Sequence, residues 1–265
     1  MKRGQGAFEY IILIGGVLLI VVLITIILRS SILPTASSQL TNNSAVIGQL
    51  VCLPTYIKKP HEVAGFWRLD DGAGMWARDD SGIGNSGTLQ GNIQWVDGRL
   101  HGAVAGVATG DRVAISDHPR YTPNSITVSA WVQGSTTAGL KPFINKGANG
   151  YRILQSFVNS FRCAMTGVVP SSLNGGSVAV PGQWYHVACV YDKDNAITLY
   201  VNGEVDGGPL AASGSLTYDS GNLQILGKPM GSYHGGAIDQ VVIYDRALTP
   251  EEVRADYECA DNSIA

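Results

Sequence analysis

Tyr10 to Leu28 is a run of nineteen residues without a charged side chain. As a helix rising about 1.5 Å per residue it would reach roughly 28 Å, near the hydrocarbon thickness of a bilayer. Lys2 and Arg3 precede the run and Arg29 follows it, so both of its ends are polar. Such a segment must sit in lipid or in something equally apolar. It is too long for the apolar region of an ordinary secretory signal, about 7–15 residues. Ile32-Leu33-Pro34-Thr35 also stands where small residues would mark a cleavage point. A plain anchor leaves Glu9 unexplained, because a carboxylate at the edge of a span costs a few kcal/mol unless paired and so marks a function.

The stretch Lys2-Arg3-Gly4-Gln5-Gly6-Ala7-Phe8-Glu9-Tyr10 with the apolar run behind it resembles the class III signal peptide of archaeal type IV pilin precursors. The resemblance implies a leader, residues 1–4, removed by prepilin peptidase between Gly4 and Gln5. It also implies that the hydrophobic helix, residues 5–33, stays with the mature chain and packs into a filament core after leaving the membrane. Glu9, fifth from Gln5, is assigned to assembly: its carboxylate would pair with the amino group of Gln5 on a neighbouring subunit. Such a pair sets register between helices even where its net stability is small, and cyclisation of Gln5 would remove it. Gly15 and Gly16 would let helices approach closely.

Residues 34–62 read as a stalk or linker. Pro34 kinks or ends the helix, small polar residues follow, and Ala45–Leu53 has the spacing to resume a helix. Asn42-Asn43-Ser44 is an acceptor pattern for glycosylation at Asn42. The remainder of the 265 residues suits one domain of about 200. The formal charge is −3, or −5 without Lys2 and Arg3, and no basic patch extends beyond Lys58-Lys59. That balance argues against nucleic acid. Four cysteines in a chain that must be exported predict two disulfides.

From Val63 onward the pattern changes to short β segments between Gly, Asn and Pro turns. Strands are expected over Ile126–Val132, Arg152–Gln155, Phe161–Met165, Trp184–Tyr191, Ala196–Val201, Asn222–Leu226 and Ala237–Tyr244. Asn202-Gly203 is a two-residue hairpin turn, since both central positions need positive φ. Helical signal concentrates in Thr249-Pro250-Glu251-Glu252-Val253-Arg254: Thr249 caps, Pro250 opens the helix and Glu252 completes a capping box. Many short, evenly spaced strands predict a sandwich or jelly roll.

Three blocks narrow this further. Phe66-Trp67-Arg68-Leu69-Asp70-Asp71-Gly72 with Asp79-Asp80-Ser81-Gly82 forms the first. Trp184-Tyr185-His186-Val187-Ala188 with Leu199-Tyr200-Val201-Asn202-Gly203 forms the second, and Ala237-Ile238-Asp239-Gln240-Val241-Val242-Ile243-Tyr244-Asp245-Arg246 the third. Together they resemble the laminin-G-like, concanavalin-A-like jelly roll. The expected architecture is an N-terminal hydrophobic α-helix followed by an all-β sandwich over 63–258, with 259–265 as a tail. On that layout Cys163 and Cys189 fall on strands expected to be neighbours, and Cys52 and Cys259 flank the domain. The resemblance thus implies pairs Cys163–Cys189 and Cys52–Cys259, one of three possible connectivities.

Relatives of this fold often hold calcium at the sandwich edge, where a hard cation takes carboxylate, amide and carbonyl oxygens. Asp79, Asp80 and Asn85 in a Gly-rich turn, with Asp239 approaching from the closing strand, are the candidate ligands for Ca2+. The same turn residues also suit satisfaction of backbone groups alone. Trp67, Trp131 and Trp184 are expected in the core, with Trp76 and Trp95 more exposed and able to stack on sugars. Residues 227–236 are a candidate binding rim. Catalysis finds little support. Glu204-Val205-Asp206 only echoes the Glu-x-Asp-x-x-Glu spacing of jelly-roll glycosidases, because Pro209 occupies the last position and Asn202-Gly203 makes a turn. The five histidines have no metal-ligand spacing.

The expectation is a non-enzymatic, pilin-like subunit of a surface filament, inserted in the cytoplasmic membrane before the pilus machinery assembles it. Its outer domain would serve adhesion to glycans or surfaces. Two rivals share these features: a monomeric, membrane-anchored carbohydrate-binding protein, and a divergent surface glycosidase.

Overall fold

The computed structural model describes residues 18–19, 53–134, 140–227 and 236–260. Gly4, Gln5, Glu9, Asn42 and Cys52 lie outside the described residues, as does all of the apolar run except Leu18 and Leu19, which are helical. Among the described residues no helix is long and apolar enough to cross a membrane. The chain divides into two units, Met1–Cys52 and Leu53–Ala265.

The second unit opens with α1 (Thr55–Lys58), β1 (Val63–Trp67), β2 (Trp76–Ala77), β3 (Gly87–Gln90), β4 (Gln94–Asp97), β5 (Gly102–Ala105) and β6 (Arg112–Ile115). β7 (Ile126–Gln133), β8 (Lys141–Lys146), β9 (Tyr151–Gln155), β10 (Ser160–Met165), β11 (Val168–Val169) and β12 (Ser172–Val178) follow. It closes with β13 (Trp184–Asp192), β14 (Ala196–Val201), β15 (Glu204–Ala211), β16 (Ser213–Gly214), β17 (Leu223–Ile225), β18 (Ala237–Tyr244) and α2 (Pro250–Glu258). Two eight-stranded antiparallel sheets result, with β11 and β16 as a separate two-stranded pair. One runs β15-β14-β13-β7-β18-β5-β4, with β1 also paired to β18; the other runs β12-β10-β9-β8-β17-β6-β3-β2.

The main core lies between the sheets. Trp67, Val128, Val187, Leu199 and Ile238 from the first meet Val113, Ile144, Ile153, Phe161 and Ile225 from the second, all buried. The first sheet is covered on its other face as well. Tyr56 from α1 and Val253 from α2 pack with Phe66, Val190, Tyr200, Val242 and Tyr244 in a second apolar cluster. That double cover explains why all eight residues of β18 are buried rather than every second one.

All seven expected strands are present, and Asn202 and Gly203 turn the β14–β15 hairpin at φ of +52° and +79°. Thr249 accepts from Glu252 N, and the Glu252 side chain accepts from Thr249 N, closing the capping box. Thr249→Ala should therefore cost about 1 kcal/mol, read as a lower denaturation midpoint with an unchanged slope. The sequence reading missed β8, whose Pro142 and two lysines mask it, and β12, whose Asn174-Gly175-Gly176 carries no apolar alternation.

Two expectations need correction. Residues 55–62, read as stalk, belong to the folded domain: Thr55 N donates to Asp256 Oδ1 at 2.5 Å, Lys59 pairs with Glu252 at 2.7 Å, and Tyr56 is buried. Cys163 and Cys189 are bonded, but their strands are not neighbours. β10 and β13 lie in different sheets, so this disulfide crosses the core, with Cα atoms 5.8 Å apart. Cys259 is also disulfide-bonded; the partner expected for it, Cys52, lies outside the described residues.

Candidate functional site

The four oxygen ligands expected for calcium are distributed among different partners. Asp79 accepts from the backbone N–H groups of Ser81 at 2.9 Å, Asn85 at 2.8 Å and Phe66 at 3.3 Å, so it organises its own turn. Asp80 faces Arg78 at 3.1 Å and Arg68 at 3.5 Å. The Asn85 amide donates to Ser116 O and to the Tyr121 hydroxyl. Asp239 sits on β18 opposite Trp131 and accepts from Leu100 N at 2.8 Å. Its other carboxylate oxygen is buried without a partner, and burial pushes its pKa up to about 7. Among the described residues no group of three His, Cys, Asp or Glu side chains is placed to hold a metal ion.

Trp67 and Trp131 are buried, and Trp76 is 63% exposed at the hairpin of β2. Trp95 is half-buried against the core and donates from Nε1 to Gly74 O. Residues 228–235 of the expected rim lie outside the described residues. Glu204-Val205-Asp206 is not a turn but the start of β15, where Asp206 accepts from Ser177 N and Ser177 Oγ.

A polar site that the fold assembles lies on the outer face of the second sheet. Along each of its central strands, residues alternate between core and outside. Leu223 and Ile225 point inward and Gln224 outward; Tyr151 and Ile153 point inward and Arg152 outward; Val113 points inward between Arg112 and Ala114. Register places Gln224 beside Asn145 and Asn145 beside Arg152, with Gln90 opposite Arg112 one step along. These five side chains line a cavity of about 520 Å³, walled by Gly147, Ala148, Gly221 and Asn222.

The lining is held in place by bonds within the site. Arg152 Nε donates to Asn145 Oδ1 at 2.8 Å and its Nη2 to Ala148 O at 2.5 Å, while Asn145 Nδ2 donates to Gly147 O at 2.7 Å. Arg112 Nη1 donates to Gly110 O at 2.8 Å. The floor amide of Gln224 is 5% exposed, and its Oε1 has no partner. The wall closes tightly: Gly147, at φ +57°, and Gly221 stand so close that a Cβ on either would strike the Asp219 carboxylate. Asp219 accepts from the backbone N–H groups of Gly221, Ala148 and Asn149, and those bonds hold its carboxyl below the usual range. Behind the wall, Lys146 is fully buried; its Nζ donates to Asp219 O at 3.0 Å and Gly221 O at 2.7 Å and pairs with Asp117 at 3.0 Å.

Two antiparallel sheets packed face to face, with a polar recess on one outer face, define a jelly-roll sandwich. Residues 107–254, more than half of the chain, match the model of the concanavalin A-like lectin/glucanases superfamily, and the chain belongs to that family. Residues 2–28 match the class III signal peptide, so the protein joins that signal to a jelly roll and is an exported, surface-displayed protein. Among curated proteins, the adhesion G-protein coupled receptor D1 of Bos taurus is 29% identical over 85 residues, 32% of this chain and 9% of the receptor. The human receptor is 29% identical over 89 residues, 10% of its length. The chain thus spans about a tenth of the curated relatives it matches.

Solved structures share the fold at low identity. The binding domain of Paraclostridial Mosquitocidal Protein 1 superposes with a TM-score of 0.61 at 14% identity, over 76% of this chain and 53% of that one. Domain 4 of an extracellular arabinanase from Geobacillus stearothermophilus, solved with arabinotriose, gives 0.57 at 21%, over 74% and 98%. The botulinum neurotoxin serotype D binding domain gives 0.57 at 15%, over 75% and 52%.

Proposed function

We propose that this protein is a pilin-like subunit of a surface filament whose jelly roll binds glycans through the groove on its second sheet. The observation that carries the reading is the joining of a class III signal peptide to a domain with an amide- and guanidinium-lined recess. Prepilin peptidase would cut between Gly4 and Gln5, the apolar helix would pass from membrane to filament core, and Glu9 would set register there. The domain would then stand outside the filament and adhere to sugars, as fits a fold also used by an arabinanase domain solved with arabinotriose. Amides and guanidinium groups hold hydroxyls and anions but do not exchange protons near neutral pH. That supports a binding role over glycoside hydrolysis, which needs a pair of carboxylic groups.

The test is the N-terminal residue of protein sheared from the cell surface, read by mass spectrometry. A chain starting at Gln5, or at its cyclised form, in a sedimenting filament fraction is the expected result. Intact Met1 confined to the membrane would sink the filament reading and leave a membrane-anchored lectin.

A further inference from the structure

We infer that the groove takes an acidic polysaccharide, with uronic-acid carboxylates on separate sugars of one chain meeting Arg112 and Arg152. This rests on the groove being the glycan site. The inference begins from the charge of the lining: two arginines, neutral amides and glycines, and no carboxylate, in a protein of formal charge −3. The carboxylates nearest in sequence are occupied elsewhere. Asp111 is buried and accepts from Asn92, Val107 and Ala108 N–H groups, and Asp219 from those of Gly221, Ala148 and Asn149. Among the described residues, no acid pairs with either guanidinium.

Each guanidinium has five N–H donors. Arg112 uses one donor toward Gly110 O, and Arg152 uses two, toward Asn145 Oδ1 and Ala148 O. The donors that remain form the flat fork suited to both oxygens of a carboxylate. The bonds already made fix each fork before ligand arrives, which lowers the ordering cost of binding.

Spacing decides between one acidic sugar and a chain of them. Arg152 lies on β9 and Arg112 on β6, with β8 and β17 between; three strand steps of about 4.8 Å, with Arg112 two residues of about 3.3 Å along from Ala114, which register places opposite Gln224, put their backbones roughly 16 Å apart. One carboxylate cannot engage both forks while Arg152 stays tied to Asn145 and Arg112 to Gly110. Two carboxylates on an oligosaccharide can. Between them lies Gln224, whose unpartnered Oε1 is an acceptor for a sugar hydroxyl.

The experiment uses the full chain in detergent. Binding of hexamers of galacturonic, glucuronic, mannuronic and guluronic acid, of the matching monomers, and of the carboxyl-reduced hexamers is measured by calorimetry. At least one acid hexamer should bind about tenfold or more tightly than its reduced form and its monomer. Arg112→Gln and Arg152→Gln should each lose about that factor for the acid hexamer; Arg112→Gln should leave the melting temperature unchanged, and Arg152→Gln should lower it slightly, because the buried Asn145 Oδ1 loses its donor. Arg152→Lys should fall between, since it keeps the charge and loses the fork. Equal binding of acid and reduced hexamers, unmoved by either Gln variant, would overturn the acidic-sugar inference and leave a neutral-glycan groove. Acid binding that neither variant weakens would place the anion elsewhere and overturn it too. No binding of any hexamer, acidic or reduced, would overturn both this inference and the glycan reading beneath it.

Discussion

Lys146→Met should lower the stability of the jelly roll by about 3 kcal/mol, the cost of taking a charged donor from two backbone carbonyls and of parting it from Asp117, whose side chain is 37% exposed. For a domain of about 200 residues that is a fall of roughly 10 °C in melting temperature. The methionine fills most of the lysine's volume, so the loss reports the polar contacts rather than a cavity. Without Nζ, the carbonyls of Asp219 and Gly221 and the carboxylate of Asp117 lose the cation that joins them. Because residues 219–222 wall the groove, the variant should also bind glycan weakly. Arg112→Gln, by contrast, should lose binding at full stability. A Lys146→Met protein that melts with the wild type would refute the role given to this side chain.

The second large effect is a dependence of stability on pH. Burial raises the pKa of both Asp239 and Asp256 to about 7, from the ordinary 3.8 of an aspartate. A raised carboxyl pKa means that the folded state binds protons the unfolded state has released. Each group's contribution is therefore fully present below about pH 4 and is lost as pH rises to about 7, where it levels off. A shift of this size corresponds to a few kcal/mol per group. His186 works in the opposite sense. Burial lowers its pKa to about 4, so its contribution is present above about pH 6.5 and is lost as pH falls toward 4. From pH 4 to 6.5 the imidazole offsets one carboxylate, and the domain should lose stability on raising the pH with the slope of about one proton. Asp256→Asn keeps an acceptor for Thr55 N and removes the titration. Denaturation midpoints measured from pH 4 to 8 should be nearly flat for it up to pH 6.5. A wild-type profile that climbs over that range would contradict the assignment.

Local rules made much of the fold legible. The Asn202-Gly203 turn, the Thr249–Glu252 capping box and the closing strand at Ala237–Tyr244 each follow from a few adjacent residues, and each is where the sequence places it. What depends on distant pairing was harder to see. Cys163 and Cys189 could be matched as partners, but whether their strands lay side by side or face to face was fixed only by the order of the sheets. The groove is the extreme case. Gln90, Arg112, Asn145, Arg152 and Gln224 are single outward positions on five strands, collected by register and by nothing in the spacing between them. The available signal was a polar residue held between core residues, clear in Tyr151-Arg152-Ile153 and Leu223-Gln224-Ile225 and absent around Gln90, Arg112 and Asn145. Any solvated β face shows the same pattern, so by itself it named no site.

An adhesive domain works under tension, and the disulfide across the core acquires a mechanical meaning there. The chain enters at α1 and β1, against the first sheet, whereas a glycan in the groove would pull on the second. Drag on a bound cell would thus try to slide one sheet off the other, against side-chain packing, a few hydrogen bonds such as Ser177 to Asp206, and the disulfide. Cys163 pairs across the ladder with Ile153, the residue next to Arg152, and its sulfur is bonded to Cys189 in β13, which lies between β7 and β14. On the proposed function, load on a glycan held at Arg152 would pass through this covalent link into the middle of the first sheet.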